Sequence, residues 1–412
     1  MLIVALTPIL LVFGAESGAA LTPLVAGAYS FQVFLLALYA FRARPLIPGR
    51  LVIVAIAYSL SLLIGVALGG RAHNQPYELA DIANSILKPL GLLLYIGLFT
   101  GVKIRVEAVH DALKFLFYAG AVAVLFGLLR SGPDVVAVLL GGGSSYDANF
   151  SSFFGNRNQF GYFVFMALLA GFVCSARSVP LRFRRIIIGL LLAGLIFSMS
   201  RGALLASAIL IMCLLIFRGR LWMAGALAVA TSVAFLVGVR WLPHFGEFER
   251  LFLRPEAGLA GRDALWRYGV DVWIESPLFG VGGFRAITAA QNAGMEQTQF
   301  HSFYVESLAS GGFIEISILL TCLIFPFAKA LRVCLHQTDA STYVSGYVAL
   351  FVLLSFESIG LFSAGYVDTI FTIVFVTIPY ILFCQNPAPL AKFDTGSSRK
   401  TAKRRKSHGA NG

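Results

Sequence analysis

The sequence predicts an all-α integral membrane protein with about twelve transmembrane helices. Hydrophobic residues make up 58% of the 412 and charged residues only 13%, and the mean hydropathy is +0.82, far above that of soluble domains. Apolar runs near bilayer-spanning length follow one another with short polar breaks. Within the runs apolarity is continuous rather than alternating at every second residue, which selects helices over barrel strands.

In order, the spans are read at 2–14, 18–41, 51–70, 88–102, 114–130, 159–176, 186–200, 202–217, 221–240, 311–330, 342–363 and 366–384. Several fall short of the roughly 20 residues a straight helix needs, so flanking polar turns complete them. The first run lacks a basic flank and is read as a retained helix rather than a signal peptide. Residues 1–390 thus form one polytopic domain carrying an insertion at 241–310, followed by a basic tail, 391–412, read as disordered.

A net charge of +12 would suit nucleic acid, but the Lys and Arg fall mostly between apolar runs and are read as topology signals, so no nucleic-acid partner is expected. Arg42, Arg44 and Arg50; Lys103, Arg105 and Lys114; Arg177, Arg182, Arg184 and Arg185; Arg218 and Arg220; and Lys329 and Arg332 mark alternate loops as cytoplasmic. The tail joins them, placing both termini inside and leaving membrane lipid as its partner. The exterior loops that stand out are then 131–158 and the long 241–310. The five cysteines include no C-x-x-C pair, and no histidine cluster has metal-ligand spacing, so no metal and no cofactor are expected.

Chemistry-bearing residues gather on the exterior side. GRDALWRYGVDVWIESP (261–277) reads as a helix stopped by Pro277, with Arg262, Trp266, Val270 and Trp273 on one face. Asp263, Arg267 and Asp271 form a mutually compensating solvated face. Arg201, in SMSRGALLA, stands at the exterior junction of two spans, where a charge is costly unless paired or snorkelling. In FFGNRNQFGYF, Asn158 is read as the helix cap, and Arg157 sits at the positive end of a helix dipole, unfavourable without an anion nearby. GVGGFRA lacks the Lys-Ser or Lys-Thr of a phosphate loop and reads as a tight turn. His301 stands where the long loop re-enters the membrane, with helical spacing placing Tyr304, Val305 and Leu308 on its face. His73 and His244 share its side and are read as bystanders. Arginines clamp phosphate oxygens, and a neutral imidazole takes a hydroxyl proton near neutrality, so this set suits a diphosphate ester attacked by an alcohol. Arg201, Arg262 and His301 are accordingly expected to border a common cavity.

NRNQFG, SMSRGALLA, GRDALW followed by ESPLFGVGGF, and HSFYVE, in this order and with a large loop before the last, resemble the O-antigen ligase and Wzy-type polymerase superfamily over about residues 150–330. The resemblance implies a C-type, metal-independent, inverting glycosyltransferase of the Gram-negative inner membrane with a periplasmic site. It implies a donor glycan on undecaprenyl diphosphate and a sugar hydroxyl as acceptor, that of lipid A-core for a ligase or of a second lipid-linked repeat for a polymerase. Compactness and the single dominant loop favour the ligase. Carried onto this chain, the motif arginines are Arg201 and Arg262 and the base is His301; Arg157 is added from the dipole argument, with Tyr304, Trp266 and Asn158 in support. Where the family often has His-Asn, this chain has His301-Ser302, so the hydrogen bonding beside the base differs. A transporter or flippase of lipid-linked sugars is the competing class, and would rely on the acids in or beside spans, Glu315, Glu357 and Asp368.

Overall fold

A computed structural model describes residues 47–73, 79–97, 101–102, 104–139, 150–154, 156–174, 179–226, 229, 262–295, 299–362 and 366–385. Everything described is helix or connecting turn. The helices are α1 (Gly49–His73), α2 (Leu79–Leu92, continued by a wide turn Leu93–Gly97), α3 (Val106–Leu139), α4 (Arg157–Val173), α5 (Leu181–Ser198) and α6 (Arg201–Phe217). They are followed by α7 (Arg262–Glu275), α8 (Gly283–Asn292), α9 (Phe303–Val333), α10 (Thr338–Phe356) and α11 (Tyr366–Thr372, extended by wide and regular turns to Gln385). Six helical stretches among the described residues are long and apolar enough to cross a bilayer: Gly49–Gly69, Leu79–Gly97, Val106–Asp134, Phe303–Val333, Thr338–Phe356 and Val367–Gln385. Arg201–Phe217 is a shorter apolar helix.

This is an α-helical membrane protein, with six such stretches where the sequence led us to expect twelve spans. The runs at 2–14 and 18–41 lie outside the described residues, as do most of 221–240 and the whole basic tail. Two boundaries are corrected. The span read at 88–102 starts at Leu79, ahead of Pro89, and ends at Gly97. The exterior loop read at 131–158 begins as helix, because α3 runs on through Pro133 to Leu139. At 34 residues it is about 50 Å long, more than the hydrocarbon thickness.

The core is organised around α4. Every residue from Phe160 to Ala170 is buried, the signature of a helix that is apolar all round and enclosed by others. Its neighbours are α3, α5, α6, α10 and α11. Small residues set the close approaches: Gly120 of α3 lies on Ala167, and Gly161 of α4 on Ser200 and Ala203. Packing is what joins helices in lipid, where apolar burial offers no advantage over lipid tails.

Contacts sort the connections into two ends. At one, Gly97 packs on Ile47 and Leu51, His110 Nε2 lies 3.0 Å from Asp339, and Arg184 donates to the Cys174 carbonyl. Arg50, Arg105, Arg182, Arg185, Arg218, Arg220 and Arg332 belong to this end by their places at helix termini. The described loops that the charge rule marks as cytoplasmic therefore emerge together. At the opposite end lie the turns 199–200 and 357–362 and the described parts of the long loop, 262–295 and 299–302.

That loop is docked, not free. α7 and α8 pack against α9 and against each other, around a small second core of Leu265, Val272, Val281, Ala286, Ala290, Phe300 and Ala309. Between α7 and α8 the segment 277–282 threads into a break in α9. Val281 and Gly282 donate to the Ala309 and Ser310 carbonyls, while Phe313 and Ile314 donate to those of Pro277 and Leu278. The break is at Gly312, whose φ of +64° and ψ of −159° are non-helical. A Cβ there would run into the Leu278 carbonyl and the Phe279 amide. Gly312→Val is expected to destabilise by about 2–4 kcal/mol through backbone strain and overlap, read as an earlier thermal transition of the detergent-purified protein; an unchanged transition would show that the threaded segment yields.

The glycine turn 280–282 owes its shape to φ of +64° at Gly280 and +96° at Gly282. It opens α8, whose first amides, of Phe284 and Arg285, donate to the two Asp81 carboxylate oxygens at 2.9 Å each. The anion seat of this phosphate-loop lookalike is thus filled by a carboxylate from α2. Arg285, which the sequence places among the loop arginines, is fully buried and donates to the Val66 carbonyl.

Candidate functional site

At the end of the bundle away from the arginine-rich loops, the starts of α4, α6, α7 and α9 surround the residue that follows α10, Glu357. α5 stops at Met199, in the left-handed region with φ of +50°, and Ser200 starts α6 at once. This tight turn puts Arg201 at the first position of α6, exposed to the surroundings. Its neighbour Gly202 packs on Glu357, with a Cβ position 3.4 Å from the carboxylate Oε1. Arg157 is the first residue of α4, and Gly161 one turn on touches Ser200, so the starts of α4 and α6 lie side by side. Positive helix-dipole ends are thereby gathered near one another.

Arg262, the first residue of α7, donates from Nη1 to the Phe356 carbonyl at 2.8 Å, and its Nη2 stands 3.7 Å from Glu357 Oε1. From the other side His301 Nδ1 stands 3.9 Å from Glu357 Oε2. The carboxylate side chain is 10% exposed, against 18% for Arg262 and 23% for His301, so both ions are partly withdrawn from solvent and neither electrostatic contact is fully screened. Nδ1 is buried and too far from Glu357 for a hydrogen bond, a distance that catalytic pairs commonly show before substrate binds. The Tyr162 hydroxyl of α4 faces the same carboxylate and Ser200.

The backbone at His301 is pinned on both flanks. Trp266 Nε1 donates to the Phe300 carbonyl at 2.8 Å, and the Phe303 amide donates to the Glu357 carbonyl at 3.0 Å. Between these anchors His301 adopts φ of +53°, a conformation costing about 1–3 kcal/mol for a residue with a side chain. It is therefore not a helical residue: Ser302 caps α9, accepting from the Val305 amide. The shared helical face with Tyr304, Val305 and Leu308 does not exist, because a left-handed residue followed by a cap breaks the periodicity. Tyr304 instead donates its hydroxyl to the Phe351 carbonyl at 3.2 Å, anchoring α9 to α10.

Other expectations divide. α7 spans Arg262–Glu275 much as its sequence suggests, and Asp263, Arg267 and Asp271 are exposed. Its buried face, however, is Leu265, Gly269 and Val272, with Trp266 at the margin; Gly269 is there because Phe300 and Val305 leave no room for a Cβ. The α4 cap is Asn156, whose side chain accepts from Gln159 at 2.9 Å; Asn158 is the second helical residue, half-buried. His73 ends α1, and His244 lies outside the described residues.

A cavity of 360 Å³ lies between α1, α2, α8, α9 and the turn after α10, and Arg201, Arg262 and His301 are not among the residues that line it. What joins Arg262 to His301 is Glu357, a residue assigned from sequence to the transport alternative. A usable signal was present, since an acid at the end of a span needs a cationic partner; that the partner is Arg262, 95 positions earlier, is a property of the fold. Glu315, the second such acid, is fully buried and held by Lys88 at 2.6 Å and by the Tyr58 hydroxyl.

The described residues form an α-helical membrane protein in which an arginine and a histidine approach one carboxylate, Glu357, beside several helix N-termini. Residues 186–320 match the family described as O-antigen ligase (Wzy_C), a stretch similar to the O-antigen ligase and Wzy superfamily. The match takes in Arg201, Arg262 and His301 and stops short of Glu357. No curated protein matches the chain.

Proposed function

We propose that the protein is an O-antigen ligase: a metal-independent, C-type glycosyltransferase that moves a glycan from undecaprenyl diphosphate to a sugar hydroxyl of lipid A-core. The single observation that carries this is the convergence of Arg262 and His301 on Glu357, with two of the three residues contributed by the segment that matches the ligase family. Arg201 and Arg262, with Arg157 beside them, clamp the diphosphate oxygens; Trp266, through Phe300, holds the His301 backbone in place. Glu357 orients the imidazole through Nδ1, leaving Nε2 as the general base.

In the transfer step the acceptor oxygen forms the new bond to the anomeric carbon on the face opposite the leaving group. The carbon–oxygen bond to the diphosphate breaks, its electron pair leaves with the diphosphate, and the hydroxyl proton passes to His301. The developing negative charge is met by guanidinium groups already in position, so little reorganisation is needed. The proposed orientation has both termini and the arginine-rich end in the cytoplasm and the site in the periplasm, with about twelve spans in the inner membrane; clustering of the basic turns at one end supports it. Transport loses ground because Glu315 and Glu357 are both engaged in ion pairs.

Purified protein in detergent, given lipid-diphosphate-linked glycan and lipid A-core in the presence of chelator, should yield glycan-bearing lipid A. Lengthened lipid-linked glycan instead would identify a polymerase, and neither product would remove the glycosyltransferase reading.

A further inference from the structure

The 360 Å³ cavity falls within the size range of small-ligand pockets, roughly 300–1,000 Å³, and its chemistry is opposite to that of the arginine site. Glu306 and Asp368 line it, and the charge of its one lining lysine, Lys88, is met by Glu315 at 2.6 Å. An anionic ligand would be repelled there. Buried within it are Glu306 Oε2 and Ser358 Oγ, which face each other without a well-formed hydrogen bond. A carboxylate oxygen and a hydroxyl so placed keep acceptor capacity that a ligand hydroxyl can use. At the cavity wall Gln299 and Phe284 are exposed, offering an amide and an aromatic face.

The cavity and the arginine site share a wall. Glu357 has extended backbone, φ −141° and ψ 139°, and successive side chains of an extended segment point to opposite sides. Glu357 accordingly faces Arg262 and His301 while Ser358 faces the cavity. Glu306 lies in the first turn of α9, five residues beyond His301.

We propose that this cavity seats the acceptor as an uncharged, hydroxyl-rich sugar ring, and that the wall at 357–358 keeps it apart from the carrier diphosphate while presenting one hydroxyl toward His301. The acceptor role rests on the transferase reading above; saccharide binding in the cavity does not. Segregating a neutral polyol among carboxylates and amides from a diphosphate among guanidiniums prevents either ligand from occupying the other's seat, specificity achieved by electrostatic mismatch.

The test uses the full-length protein in detergent, with two binding probes measured separately: lipid-free outer-core oligosaccharide by saturation-transfer NMR, and radiolabelled undecaprenyl diphosphate by retention. Wild type is expected to saturate sugar-ring protons. Glu306→Gln and Gln299→Ala should each weaken oligosaccharide binding by about tenfold, the loss of a hydrogen bond to a bound ligand, and leave diphosphate retention unchanged. Arg201→Ala should do the reverse. The proposal is overturned by absence of saturation in wild type at millimolar saccharide, by unaltered saccharide binding in both variants, or by parallel loss of both ligands in Glu306→Gln, which marks a structural role. Saccharide binding that behaves as expected in a protein without transfer activity would bring down the transferase reading and leave the pocket standing. Transfer with an unchanged acceptor KM in Glu306→Gln would do the opposite.

Discussion

His301→Asn is expected to lower glycan transfer by about 10²- to 10⁴-fold, the usual contribution of a positioned general base, while expression and thermal transition stay close to wild type. Asparagine is the informative replacement because His301 holds φ of +53°, a region that asparagine tolerates better than most residues with side chains. Alanine would mix loss of the imidazole with backbone strain. The amide keeps hydrogen-bonding capacity toward Glu357 but cannot accept a proton near neutrality. Initial rates at saturating donor and acceptor check this, and transfer within a few-fold of wild type would remove His301 from the chemistry. Because Trp266 and Glu357 fix the backbone on either side of His301 through the Phe300 carbonyl and the Phe303 amide, the main chain should persist in the variant.

Arg262→Ala should weaken use of the diphosphate donor by about ten- to a hundredfold, the cost of a lost charged contact of roughly 1.5–3 kcal/mol. It should also lower stability, since Glu357 is left as a largely buried carboxylate without its cation and the Phe356 carbonyl without its donor. The two consequences separate in a double-mutant cycle. Glu357→Gln added to Arg262→Ala removes the orphaned charge, so the stability losses of the single variants should not sum; donor use should stay impaired in the double variant because no guanidinium returns. Arg262→Lys should rescue little, as a single ammonium cannot serve the Phe356 carbonyl, the carboxylate and a phosphate together. Should Arg262→Ala shift only the thermal transition, with donor KM unaltered, Arg262 is a structural ion-pair partner and the diphosphate clamp falls to Arg201.

The places of the two motif arginines were partly legible. Arg201 stood out as a costly charge at a span junction and Arg262 as an arginine on an aromatic helix face, and both prove to be first residues of helices at the same end of the bundle. The helix 262–275 and the solvated Asp263–Arg267–Asp271 face followed from local spacing, which depends on neighbours three and four residues away. Caps and turns were less legible. Asn156, Asn158 and Gln159 crowd one helix start, and which side chain turns back on the amides depends on the backbone angles of the residue, extended at Asn156. His301 was found as a chemical group but misplaced as helix, because its left-handed backbone is imposed by Trp266 and Glu357, partners 35 residues before it and 56 after.

By itself the sequence determined a helical membrane protein, the pairing of basic turns at one end, and which residue types could hold a diphosphate and accept a proton. Those properties are local: they depend on hydropathy over a span and on side-chain chemistry. Only the tertiary structure decided that Glu357 joins Arg262 to His301, that α9 breaks at Gly312 to admit the segment 277–282, and that an acid-lined cavity lies behind the wall formed by Glu357 and Ser358. The reason is physical. A buried charge needs an opposite charge wherever the chain can bring one, and an unpaired amide or carbonyl needs a partner from whichever segment packs against it; the composition states the need, and only packing selects the partner.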